Sequence, residues 1–356
     1  MDADAPEITA FKVALRGPLL QPADETYEAA RVVWSGMIDR CPRLIVRCHG
    51  VADVVASVDF ARTHGVVVAV RGGGGNFGIV TLFEFRLHPI EPELMACLAV
   101  YPESRAREAI ASWRDFMATA PDQLLGSLVE FSTLPNDASL PQEARGARAI
   151  TVAAAYDGPA REGETLVQPL RELGPMLVDF SWRMPYCALQ SMLDDSFPKG
   201  HDRSYYKSLF LRQLDGPVIE DLVTRVAARP SDMTYTSIWD FGGAVARVAA
   251  DATAFGDRNR PYVLSIDTTW SKPEGDGPNI AWSRNFWSHM QPHSDGRIYV
   301  NFPGHGEDDG LVRTAVGAEN YARLVAIKRK YDPTNFFRIN QNIAPDSLPR
   351  RQRSEH

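Results

Sequence analysis

Four consecutive glycines between two apolar stretches, in Arg71-Gly72-Gly73-Gly74-Gly75-Asn76-Phe77-Gly78, are the first place where residue type and spacing suggest chemistry. Glycine's access to positive φ lets successive backbone N–H groups turn inward into a concave anion site, and a pyrophosphate would fit such a nest. The same run also reads as a flexible turn, since neither a Walker pattern nor a spaced G-x-G-x-x-G is present. A second stretch, Arg297-Ile298-Tyr299-Val300-Asn301-Phe302-Pro303-Gly304, reads as a short strand over 298–302 closed by a Pro-Gly turn. Alternation then puts Ile298, Val300 and Phe302 on one face and Tyr299 with Asn301 on the other, a phenol beside an amide. That pair suits a polar cavity, and it equally suits a solvated edge strand. The third stretch runs from Lys328 to Ile343, where cations in a last helical turn complement the helix dipole and Asp332-Pro333 forces the chain out. If the chain is extended after Phe337, Asn340 and Asn342 share a face; the alternative is a capped surface helix with a docked tail.

Other chemistries find less support. His289 and His293 have the spacing of a metal pair, but Pro292 interrupts the helix and no third ligand is near, so a solvated loop and no metal site are expected. No G-x-S-x-G elbow is present for a serine hydrolase. Cys41, Cys48, Cys97 and Cys187 stand far apart without a C-x-x-C pair, and read as buried thiols. A net charge of −7 without long basic runs argues against nucleic acid and anionic membrane and favours a small-molecule substrate. The N-terminal MDADAPEITAF lacks a basic region followed by an apolar stretch, and no apolar run is long enough to span a bilayer, so a cytoplasmic location is expected.

The elements that must position these residues fall into two kinds, in keeping with the roughly two domains that 356 residues suggest. A helix over 23–37, a strand over 44–46, a helix over 51–63 ended by His64-Gly65 and an apolar strand over 66–70 make a β-α-β pattern. After the glycine run a strand is expected over 79–87. From about Leu94 the pattern changes to strands (96–101, 149–155, 262–267, 298–302) separated by helices (104–119, 161–173, 315–331). Segregated elements of this sort suggest an α+β domain on an antiparallel sheet with flanking helices.

Together these pieces resemble the berberine-bridge-enzyme-like FAD-linked oxidases, especially their bacterial members. Residues 27–40 are similar to the family's entry into its flavin domain, and Gly75-Asn76-Phe77-Gly78-Ile79-Val80-Thr81 to its G-N-F-G-x-V-T segment against the dinucleotide. Pro185-Tyr186, Leu189-Gln190, Tyr206-Lys207-Ser208 and Gly242-Gly243-Ala244 look like landmarks of its substrate domain. Tyr299-Val300-Asn301 and residues 328–343 match its C-terminal K-x-K-Y-D-P-x-N-x-F signature, the most specific of the matches.

One departure stands out. In the family the strand matching 66–70 leads into an R-x-G-G-H loop that often bonds the flavin covalently, and a long stretch follows before a second glycine-rich loop. Here the single run from Arg71 to Gly78 stands for both. The resemblance therefore implies a truncated FAD-binding α/β domain over 1–93, a substrate domain over 94–310, a segment returning to the flavin domain over 311–345 and a polar tail over 346–356. It implies FAD held without a covalent bond, hydride transfer from a small organic substrate to flavin N5, and reoxidation by oxygen. Tyr299 would face the ring with Arg297 on the same strand face, while Phe302 replaces a tyrosine of many relatives and cannot take a proton. Arg71, Gly72, Gly73, Gly74, Gly75, Asn76, Phe77, Gly78 and Ile79 would hold the cofactor with Asn301, Asn340 and Asn342. A flavin-free remnant that keeps the substrate-domain fold is the alternative. Exposed apolar surface is expected on the shortened flavin side.

Overall fold

Near the N-terminus the apolar positions become helical where they have a partner to pack against. α1 (Pro6–Ala14) buries Ile8 and Phe11, and Phe11 stacks at 4.2 Å on Phe60 of a later helix. β1 (Leu19–Leu20), α2 (Tyr27–Arg31), β2 (Ile45–Val46) and α3 (Val51–Thr63) follow, with β1 and β2 paired antiparallel. Asp53, on the first turn of α3, is buried and its carboxylate accepts the backbone N–H groups of Arg16 (2.8 Å), Gly17 (3.1 Å) and His49 (2.7 Å). Those bonds, led by the one from Arg16, lower its pKa. Gly17 is needed there, because a Cβ would collide with the Arg47 carbonyl oxygen.

The structure, a computed structural model, describes residues 6–70, 75–256, 258–302, 310–339 and 341–345. Its contacts divide the chain into two compact units: Met1–Val33, Ile38–Arg86 and Asp308–His356 form one, and Trp34–Met37 with Leu87–Glu307 the other.

Several expectations fail in the first unit and its borders. The helix expected over 23–37 is confined to α2. Tertiary bonds win over helical spacing beyond it, since Trp34–Met37 belongs to the second unit, where Gly36 N–H donates to the Asp202 carbonyl and Gly200 N–H to that of Trp34. Residues 66–70 and 79–87 were expected as strands and form none, because among the described residues no neighbouring strand completes a ladder with them. The expected exposed apolar surface is found here: Val80, Leu82, Phe83, Phe85 and Leu87 all face solvent. The thiols of Cys41, Cys48 and Cys187 are exposed, and only Cys97 is buried, because it alone sits in a core strand.

The second unit is built on one antiparallel sheet. Its strands are β3 (Leu94–Pro102), β4 (Leu124–Thr133), β5 (Arg148–Tyr156), β6 (Val178–Asp179), β7 (Trp182–Met184), β8 (Arg203–Leu211), β9 (Tyr235–Asp240) and β10 (Tyr262–Trp270). They lie in the order β6-β3-β5-β4-β9-β10-β8, with β7 also on β3. Gly126, at φ 56, takes up the irregularity between Leu125 and Leu128 in the β4–β5 ladder. The helices are α4 (Ala106–Met117), α5 (Ala160–Arg171), α6 (Tyr186–Ser191), α7 (Gly216–Ala227), α8 (Gly243–Ala246) and α9 (Asp276–Met290). α4 buries Ala106, Ala109, Ile110 and Trp113, and α7 buries Val218, Ile219, Leu222, Val223 and Val226, the one-sided spacing of helices lying on a sheet. The core forms where α4, α5, α7 and α9 meet alternate strand positions such as Cys97, Ala99, Val129, Val152, Ile238, Leu264 and Leu209. Alternation turns the other set of positions to the face without this helical cover. His289 lies on the last turn of α9 and not in the expected loop, its ring bonded to the Asn285 carbonyl at 2.8 Å. No cluster able to hold a metal occurs among the described residues.

The first unit resumes with α10 (Leu311–Val316) and α11 (Ala318–Tyr331). The single helix expected over 315–331 is broken at Gly317, whose φ of 82 a right-handed helix cannot contain. No helix among the described residues is long and apolar enough to cross a membrane.

Candidate functional site

The polar residues on the less covered sheet face form rows that the strand register fixes. Glu130 lies opposite Ser237, Ser237 opposite Ser265, and Ser265 opposite Ser208, so one row crosses β4, β9, β10 and β8. The next row sets Tyr235, Asp267 and Tyr206 side by side. Ser237 donates to Glu130 at 3.2 Å and Ser265 to Asp267 at 2.5 Å. Burial, joined for Glu130 by the nearby Asp267 charge, pushes both carboxyls up to about 7. Burial likewise raises the phenols of Tyr206 and Tyr235. The indole N–H of Trp239, on this face beyond Ser237, is buried without a hydrogen-bond partner. Neither carboxylate was singled out in the sequence. The available signal was a lone acid inside a strand with no other charge, in LVEFST and VLSIDTTW, and it belongs to no motif.

Tyr299 is held against this same face. Ser208 Oγ accepts the Tyr299 N–H at 3.0 Å and lies 3.1 Å from its carbonyl, to which it can donate. The expected strand over 298–302 is absent: Phe302 N–H donates to the Tyr299 carbonyl at 3.0 Å, closing a turn, and the Ser208 side chain stands in for ladder bonds. The expected pairing of Tyr299 with Asn301 is present through that turn, with Asn301 Nδ2 donating to the phenol oxygen at 2.9 Å. Phe302, Phe241 and Phe255 present edges to the Tyr299 ring at 5.3, 5.7 and 6.3 Å. Arg297 sits 3.8 Å from Asp295. Of the substrate-domain landmarks, Tyr206 and Ser208 are on the polar face, whereas Lys207 is buried on the helical face with its ammonium 4.1 Å from the Trp287 ring.

In the first unit, Arg71, Gly72, Gly73, Gly74 and Asn340 lie outside the described residues. Gly75 has φ 59, a conformation glycine adopts without strain. The Asn76 carboxamide is engaged at both ends by the C-terminal tail, donating to the Gln341 carbonyl at 3.0 Å and accepting from Ile343 N–H at 2.9 Å. Phe77 packs on Val312, Val316, Val325 and Ile343. Asn342, between the two tail residues that hold Asn76, has a buried Oδ1 with no donor. The signature residues Lys328 and Asp332 are buried and order this tail: Lys328 donates to Asp332, to the Phe337 carbonyl and to that of Asn76, while Asp332 accepts from Phe336 and Phe337 N–H.

Residues 298–344 match the family model described as berberine and berberine like. The chain is 26% identical over 283 residues to an FAD-linked oxidoreductase of Dictyostelium discoideum, covering 79% of this chain and 58% of that protein. It is 25% identical over 335 residues to a xylooligosaccharide oxidase of Thermothelomyces thermophilus, covering 83% and 64%. The chain spans about three fifths of the length of such curated relatives. In fold it is similar to 6-hydroxy-D-nicotine oxidase of Arthrobacter nicotinovorans, with TM-score 0.78, 17% identity and coverage of 97% of this chain and 100% of that one. The α+β fold expected from the sequence is the fold of these oxidases. Residues 298–344 thus carry a berberine-bridge-type segment, and FAD-linked oxidoreductases are similar to this chain over more than three quarters of its length.

Proposed function

We propose that this chain binds FAD without a covalent bond and oxidises a small organic substrate. The unit of Ile38–Arg86 and Asp308–His356 takes the flavin role, and that of Leu87–Glu307 the substrate role. The observation that carries the reading is the Tyr299–Asn301 pair pinned by Ser208 onto a sheet face that bears two near-neutral carboxyls. Bound flavin would supply hydride acceptance at N5 and recovery with oxygen. The chain's own part is the proton. In its phenolate form Tyr299 would receive it at the phenol oxygen and become a neutral phenol, and before that step the Asn301 amide, which donates to this oxygen, would stabilise the phenolate charge. Glu130 and Asp267 offer a second acceptor of suitable basicity on the same face.

The residues of the first unit fit a flavin at two points: Asn342 Oδ1 is a buried acceptor awaiting a donor, and Gly75 leaves its backbone open to close approach. Arg71, Gly72, Gly73, Gly74, Phe77, Gly78, Ile79 and Asn340 complete the proposed cofactor set, with Asn76 acting through the tail it holds. A flavin-free protein is the second reading, favoured by that engagement of Asn76, which commits its carboxamide to the protein itself.

Titration with FAD, followed by quenching of its fluorescence, separates the two. Weak saturable binding that is lost in Gly74→Val/Gly75→Val supports the first reading. Absence of binding by the unaltered chain supports the second, and binding indifferent to the valines overturns the cofactor placement.

A further inference from the structure

Residues 79–90, IVTLFEFRLHPI, have the β-branched and aromatic content of a strand. Phe83, Phe85 and Leu87 alternate with Glu84 and Arg86, giving an apolar side and a charged one, and the Phe83 and Phe85 rings stack at 5.5 Å as side chains two residues apart on one side can. Leu82 is 81% exposed, Phe85 72% and Leu87 87%. Among the described residues, none bonds to a backbone N–H or C=O of residues 79–90. Unpaired backbone of this composition is a template for another strand.

The charges of the segment select its occupant. We infer that a second copy of this chain pairs with it as an antiparallel ladder centred on Phe85, so that Glu84 of each copy faces Arg86 of the other and Phe83 faces Leu87. The register follows from the sequence. A slip of one residue sets the charged side of one copy against the apolar side of the other. A slip of two in either direction puts Glu84 opposite Glu84 or Arg86 opposite Arg86, and like charges directly opposite destabilise a ladder. Parallel pairing in register opposes like charges at both positions. The antiparallel arrangement has a two-fold axis at Phe85, buries the same strip on both copies and closes on itself.

Sedimentation of the full chain over a wide concentration range tests this, with circular dichroism as the check on folding. The wild-type chain is expected to dimerise as concentration rises. Glu84→Arg and Arg86→Glu are each expected to stay monomeric, because each leaves one sign of charge on both strands. Mixing those two variants restores both opposite-charge pairs and is expected to restore the dimer. The double variant Glu84→Arg/Arg86→Glu is expected to dimerise with itself and not with the wild-type chain. If a single variant fails to fold, this self-sorting of the double variant decides the matter. A wild-type chain that stays monomeric, single reversals that dimerise as well as the wild type, or free mixing of the double variant with the wild type would each overturn the inference.

Discussion

Lys328 and Asp332, one turn apart on α11 and at its end, form an ion pair 2.7 Å long with neither side chain exposed beyond 1%. The ammonium's remaining donors go to the Phe337 and Asn76 carbonyls, so one cation joins the helix, the tail and the loop after the glycine run.

Lys328→Met leaves the Asp332 carboxylate buried with its backbone donors but without its counter-charge. Breaking one side of a buried pair costs about 3–5 kcal/mol, against at most about 1 kcal/mol for an exposed one. Thermal denaturation of the variant should show the larger loss, and earlier proteolysis of residues 341–345 should accompany it. A loss of the smaller size would mean that the pair is solvated in solution.

Asp53 gives a stability term with a definite sign. Its folded pKa is lowered by backbone N–H bonds, so its contribution is present above the unfolded value of about 4 and disappears as pH falls through the lower folded value. Asp53→Asn should therefore be less stable than the wild type at neutral pH, with the gap closing in acid. A gap that widened toward acid would contradict the bonding described.

Glu130 and Asp267 act in the opposite sense. Their folded values of about 7 exceed the unfolded values of about 4, so the folded chain holds more protons between those limits and loses stability as pH rises through them. Glu130→Gln/Asp267→Asn should match the wild type near pH 4 and exceed it in melting temperature above neutrality. Equal slopes of melting temperature against pH for the two proteins would show that the carboxyls are not desolvated together.

Flavin bound by this chain should leave it on denaturation. Acid precipitation is expected to move all flavin colour and fluorescence to the supernatant. Fluorescence retained by the washed pellet would establish a covalent bond and displace the non-covalent proposal.

Elements were legible where each carries its own pattern: α3 of the first unit came out at 51–63 as expected, and in the second unit the strands expected over 96–101 and 149–155 are the centres of β3 and β5. Patterns failed where a partner decides. Residues 66–70 and 79–87 are strand-like in composition, yet a strand exists only when another lies beside it. The turn at Tyr299 depends on Ser208, 91 positions away in sequence, which no local window contains. The carboxyl pair was hidden for a similar reason, since Glu130 and Asp267 come together only through the ladders of β9 with β4 and β10.

The bonds from Asn76 to Gln341 and Ile343 close a loop across 265 and 267 sequence positions, with the whole of Leu87–Glu307 inside it. On a ribosome, the second unit has all its strands while α11 and the tail are still unmade. It can fold as a domain during synthesis, whereas the high-contact-order contacts of Asn76 and Phe77 must wait for residues 312–343. During that interval the apolar stretch at 80–87 is bare on every nascent chain, so yield in a cell should depend on chaperone supply more steeply than the stability of the finished protein suggests.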